Sequence, residues 1–106
     1  MVEIYVGEEV KLLAKKYAEV LRQQYDLHSL YLYDSYVNGN YTSDSDIDIA
    51  VIAADFSGDI FEDTLNLMRY RRLVDNRIEP HPFIPSEFNF NNPNAREIMA
   101  KGIRII

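Results

Sequence analysis

The stretch SDSDIDIAVIA, Ser43 to Ala53, restricts the fold of this chain more than any other segment. Asp46 to Ala53 reads as a strand in which Ile47, Ile49 and Val51 take one face and Asp46 and Asp48 the other. That alternation requires a sheet with one apolar side. It also sets two carboxylates with Cα atoms roughly 6.5–7 Å apart, where like charges repel and aspartate is a poor strand former. A polar start to a solvated strand face would account for one such pair. A divalent cation held between them would reverse the penalty, and hard oxygen ligands suit magnesium or manganese. An EF-hand is excluded: counting from Asp44, position six is Ile49 where glycine is needed, and position twelve is Asp55 rather than glutamate.

The rest of the chain supplies the partners of that strand. Gly7 to Tyr25 is expected to be a helix, with Val10, Leu13, Ala14, Tyr17, Val20, Leu21 and Tyr25 at three- and four-residue steps and Glu8 and Glu9 in its first turn. Leu30 to Tyr33 reads as a short strand, followed by the turn signal Asn38-Gly39-Asn40. Ile60 to Leu73 reads as a second helix with Phe61, Leu65 and Met68 inward and a solvated basic end of Arg69, Arg71 and Arg72. Val74 to Glu79 is expected as a third strand stopped by Pro80 and Pro82. Phe83 to Pro93 reads as a loop, and Asn94 to Lys101 as a last helix stopped by Gly102. The order gives an α+β (α/β) fold, a small mixed β-sheet with helices mainly on one face, in a single domain over residues 1–106.

Composition narrows the function classes. The 106 residues carry a net charge of −6 and no cysteine. An acidic chain lacks the clustered Lys and Arg that non-specific binding to nucleic acid or anionic membrane requires. A single nucleotide is not excluded, because a metal can overrule the global field locally. Disulfide and thiolate zinc chemistry are ruled out. Neither a signal peptide nor an apolar run of membrane-spanning length is evident, so a cytoplasmic location is expected.

The context of the aspartates sharpens their meaning. Ser35 follows a strand, Gly39 comes four residues later, and Ser45-Asp46-Ile47-Asp48 opens the next strand. A turn of this kind offers a hydroxyl and backbone N–H groups to phosphate oxygens, while the following strand holds the neutralising cation. In the segments YLYDSYVNGNYTSDSDIDIAVI and VDNRIEPHPF the chain resembles the minimal nucleotidyltransferases, single-domain members of the DNA polymerase β-like superfamily. Their pattern is a hydrophobic strand, Gly-Ser, a later Gly, Ser-Asp-x-Asp and a third carboxylate on a later strand.

The resemblance implies that Asp46, Asp48 and Glu79 are catalytic and hold two magnesium ions, and that Ser35, Gly39 and Ser45 serve the nucleotide. It implies transfer of AMP from ATP to a hydroxyl, with a tyrosine of a helical HEPN-type partner as acceptor in a toxin–antitoxin pair. Two positions depart from the pattern: Asp34 stands where the family has glycine, and the basic residue common at the position of Asn38 is missing. A like charge 4 Å from a phosphate oxygen costs up to about 4 kcal/mol at an effective dielectric of 20. A catalytically impaired antitoxin or adaptor that acts by binding alone therefore stays open as the alternative, with a small-molecule transferase as a third reading. His81, next to Pro80, reads as structural, with contact to the site as the minority reading. Tyr31, Tyr33, Tyr36 and Tyr41 read as packing.

Overall fold

A computed structural model describes the backbone of residues 2–33 and 46–106, and the side chains of residues 8–33 and 46–106. In chain order, helix α1 covers Val2–Arg22, strand β1 Leu27–Tyr33 and strand β2 Ile47–Ala53. Helix α2 covers Ile60–Arg71, β3 Ile78–Phe83, a 3-10 turn Pro85–Glu87, helix α3 Pro93–Lys101 and β4 Ile103–Arg104. The sheet order is β3-β2-β1-β4. β1 runs antiparallel to both β2 and β4, whereas β2 and β3 are parallel. This is the mixed α+β sheet expected from the element order.

The main core forms because the apolar side of the sheet meets two helices. Ile47, Ile49 and Val51 of β2, Leu30 and Leu32 of β1 and Ile78 of β3 pack against Val10, Ala14, Tyr17 and Leu21 of α1 and Leu67 of α2. Each fully buried aliphatic side chain contributes on the order of 1.5–3 kcal/mol relative to exposure. A smaller cluster covers the opposite face, where Ala50 and Ile52 meet Ile98 of α3 and the rings of Tyr31, Tyr33, Phe83 and Phe88. α3 therefore lies across the sheet from α1 and α2, and Asp48, between Ile47 and Ile49, shares its side.

Three expectations need correction. First, α2 is rotated relative to the expected register: Phe61 and Leu65 are exposed, and the buried positions are Asp63 and Leu67. Asp63 turns inward because its carboxylate accepts bonds from the Ser57 N–H and hydroxyl at 3.0 and 2.9 Å and from the Gly58 N–H at 3.3 Å. Asp59 caps the first turn by accepting from the Phe61 and Glu62 N–H groups, while Asp63 ties the preceding loop to the helix. Second, Pro80 and Pro82 lie within β3 rather than stopping it. β3 is an edge strand; the Arg77 carbonyl faces β2, receiving the Ile47 N–H, while the Ile78 carbonyl faces outward to Arg71 Nη1 at 2.9 Å. By alternation the N–H groups missing at Pro80 and Pro82 also fall on the outer edge, where no ladder bond is lost. Third, Arg71 is thereby tied to β3 and is not part of a solvated helix end.

The chain terminus adds a strand that no sequence signal announced. Ile103 and Arg104 pair with Leu32 and Tyr31. Gly102 makes this turn possible by its lack of a side chain rather than by an unusual dihedral. A Cβ there would stand 2.5 Å from the Ile98 carbonyl oxygen and 3.0 Å from that of Leu32. Among the described residues, no helix is long and apolar enough to cross a membrane.

Candidate active site

The parallel pairing of β2 and β3 places the carboxylates. Asp48 is in register with Glu79 and Ala50 with His81, so neighbouring side chains on the two strands project to the same side. Asp46 stands one residue before β2 and is exposed; by alternation it shares the side of Asp48. On its other flank Asp48 pairs with Tyr33, the last residue of β1. Tyr33, Asp48 and Glu79 thus form a row across three strands at one end of the sheet. Ser35, Gly39 and Ser45, together with Asp34, lie outside the described residues.

His81 touches this row through Asp48. Two positions beyond Glu79 on β3, its Nε2 comes within 3.3 Å of Asp48 Oδ1. A carboxylate can only accept, so the contact is a hydrogen bond in the tautomer that carries the proton on Nε2. The imidazole also meets the Tyr33 ring with centroids 5.7 Å apart in an edge-on arrangement. The usable sequence signal was the i, i+2 spacing from Glu79, which places both side chains on one strand face. Arg77, two residues before Glu79, grips Asp75 through Nε and Nη2 at 3.0 and 2.9 Å. Those hydrogen bonds hold the Asp75 carboxyl below its usual range.

A cavity of about 580 Å³ opens beside the row. Tyr33, Glu79 and His81 line it from the sheet, Thr64 and Met68 from α2, and Ile98 and Lys101 from α3. The space curves around the β3 edge between helices on opposite faces. An apolar wall with a few convergent polar groups is the ordinary form of a small-ligand site.

The residues suit a divalent cation in kind. Three carboxylates offer hard oxygens, and two of them come from directly paired positions. Their side chains do not converge as they stand: among the described residues, no group of three His, Asp or Glu is close enough to hold a metal ion. Asp48 instead engages His81.

Comparison with known proteins follows the same lines. The polymerase beta nucleotidyltransferase family profile matches residues 15–106. MJ1379 of Methanocaldococcus jannaschii, a candidate protein adenylyltransferase, is 34% identical over 62 residues, which are 58% of this chain and 62% of that protein. The chain therefore spans under two thirds of the curated relative's length. A candidate nucleotidyltransferase from Sulfolobus solfataricus, solved at 1.40 Å, superposes with a TM-score of 0.69 at 17% identity, covering 98% of this chain and 86% of the other. A crystal structure of a toxin-antitoxin with AMP-PNP gives a TM-score of 0.60 at 24% identity, covering 88% and 72%. At these identities the structural matches speak to fold.

Proposed function

This chain belongs to the polymerase beta nucleotidyltransferase family, and from that premise we propose that it transfers AMP from ATP to a hydroxyl on a partner protein. The observation that carries the reading is the in-register pairing of Asp48 with Glu79, with Asp46 one step away on the same side. Asp46, Asp48 and Glu79 would hold two magnesium ions, which supply charge neutralisation at the phosphates and activation of the attacking oxygen. Ser35, Gly39 and Ser45 would cradle the outer phosphates. In the transfer, the acceptor oxygen bonds to the α-phosphorus, the bond from that phosphorus to the bridging oxygen breaks, and pyrophosphate leaves. The hydroxyl proton passes to solvent.

A protein acceptor is supported by the name of the curated relative, a candidate protein adenylyltransferase. The structural neighbour solved as a toxin-antitoxin with AMP-PNP supports a role as antitoxin and ATP as donor. The partner is then a helical HEPN-type toxin, and the acceptor a tyrosine on it. A cytoplasmic setting goes with that role.

Asp34, in the place of the family glycine, favours a second reading: an impaired enzyme that restrains its partner by contact. One experiment separates the two. Labelled ATP, magnesium and a HEPN-type protein are incubated with the natural chain, with Asp34→Gly and with an Asp46→Asn, Asp48→Asn control. Label on the partner above the control supports the transferase. Label only with Asp34→Gly supports the binding module, and no label from either overturns adenylyl transfer to this partner class.

A further inference from the structure

The polar groups of the cavity beside the carboxylate row are mostly of one kind. Thr64 of α2 gives its hydroxyl hydrogen to the Ile60 carbonyl at 2.6 Å, so toward the cavity its oxygen can only accept. On β3, the alternation that turns the Ile78 carbonyl outward to Arg71 also turns out that of Pro82, a lining residue with no N–H to offer. Lys101, the one lysine or arginine among the described lining residues, is held by Glu97 at 2.8 Å. Glu79 adds a negative charge, and only the Asn94 amide can donate as readily as it accepts. Phosphate oxygens would meet lone pairs and a carboxylate here. An uncharged ligand that carries its own donors would be matched.

The remaining walls are apolar. Met68, Phe83 and Ile98 line them, and a thioether packs well against an aromatic ring. A volume of about 580 Å³ lies in the range of pockets that enclose a whole small molecule, more than the ring of one partner side chain would fill. We infer that this cavity seats the base of the ATP proposed above, and that Thr64 Oγ1 and the Pro82 carbonyl select a purine with an exocyclic amino group. Adenine brings N–H donors to such acceptors. The oxo group of guanine or hypoxanthine would set oxygen against oxygen with no hydrogen between them, and a site built to receive N–H rejects the analogue that lacks it. Tyr33 and Glu79 belong both to the lining and to the row, so a nucleoside in the cavity leads to the row and keeps its phosphates off the acceptors. The inference rests on ATP as donor and goes beyond it by naming the residues that choose the base.

The test is a titration of the full chain with adenosine, without metal, followed by nuclear magnetic resonance of the Met68 and Ile98 methyl groups. Adenosine carries no phosphate, so neither a cation nor Asp34 enters the result. Both signals are expected to shift and saturate. Inosine, with an oxo group in place of the amino group, should bind at least about 10-fold more weakly. Thr64→Val keeps the shape and removes the acceptor, and should narrow the adenosine-to-inosine ratio by about threefold or more. Met68→Trp fills the cavity and should abolish the Ile98 shift, with thermal melts confirming that both variants are folded. No saturable shift, equal affinity for inosine, an unchanged ratio in Thr64→Val, or adenosine binding that survives Met68→Trp would each overturn the inference. N-acetyltyrosinamide shifting these methyl groups where adenosine does not would also overturn it, and would give the cavity to the acceptor. The two levels separate. Labelling of the partner without adenosine binding defeats this inference alone, whereas adenosine binding without labelling supports the base site and leaves the transfer reading to fail by itself.

Discussion

Tyr17 of α1 donates its hydroxyl to the Leu67 carbonyl of α2 at 2.6 Å, and both residues are wholly buried. Burial pushes the Tyr17 hydroxyl well above its ordinary range, so it remains a donor at any pH the fold survives. The bond joins the two helices that cover the main core. Tyr17→Phe is expected to destabilise the protein by about 1–2 kcal/mol, the usual net worth of such a bond plus the desolvated oxygen left behind. Urea denaturation should show a lower midpoint at unchanged slope. An unchanged midpoint would mean that the bond contributes nothing.

Gly102 is predicted to resist any substitution. In Gly102→Ala the new methyl group meets two backbone carbonyls, at 2.5 and 3.0 Å, and neither can move without shifting α3 or β1. A loss of about 1–3 kcal/mol follows, as for overpacking elsewhere. Hydrogen exchange at the Ile105 amide, which bonds the Leu30 carbonyl at 2.8 Å, should accelerate. Wild-type protection at that amide would contradict the steric account.

Acid should weaken the turn before β3. The Arg77 guanidinium bonds hold the Asp75 carboxyl below its ordinary value of 3.8, so the unfolded chain takes up the proton more readily than the folded one. The pairing therefore adds stability above pH 3.8 and loses it as the pH falls through the lower, folded value. Because the pair is partly exposed, its worth lies within roughly 0–1 kcal/mol. Asp75→Asn should lower stability at pH 7 and do so less near pH 2. Equal destabilisation at both values would rule out the charge as the cause.

Glu79→Gln tests the third carboxylate apart from its neighbours. Magnesium-dependent labelling of the partner is expected to fall by more than the roughly 10–100-fold typical of residues behind a ligand, with the thermal midpoint unchanged because Glu79 is only half-buried. Retained labelling would remove Glu79 from the catalytic set.

The face of β2 could be read before the fold because its period is two and its apolar members are β-branched: Ile47, Ile49 and Val51 are all fully buried. The inward positions of α1 could be read for the matching reason at period 3.6, with Val10, Ala14, Tyr17 and Leu21 all in the core. α2 misled because two exposed apolar residues, Phe61 and Leu65, mimic a stripe, while the position that turns inward is an aspartate tied to Ser57 and Gly58. No apolar periodicity reveals a buried carboxylate whose partners lie in the preceding loop. β3 misled because prolines signal a strand end unless the strand is known to lie at an edge, which is a property of the sheet rather than of the segment. Ile103 and Arg104 are too few to carry any period. In the site, Asp46, Asp48 and Glu79 were singled out by motif, whereas His81 gained its meaning from the Asp48 and Tyr33 that surround it.

The prolines of β3 have a consequence for the molecule in a crowded solution. A sheet edge with free N–H groups is a template on which a second chain can lay a strand and begin to aggregate. β3 has no such hydrogens at Pro80 and Pro82, the Ile78 N–H bonds the Asp75 carbonyl, and the Ile78 carbonyl is taken by Arg71. The opposite edge, β4, is only two residues long. Both margins of the described sheet are thus poor templates, and Glu79 can stand on an outermost strand, beside the cavity, without that strand recruiting its own kind.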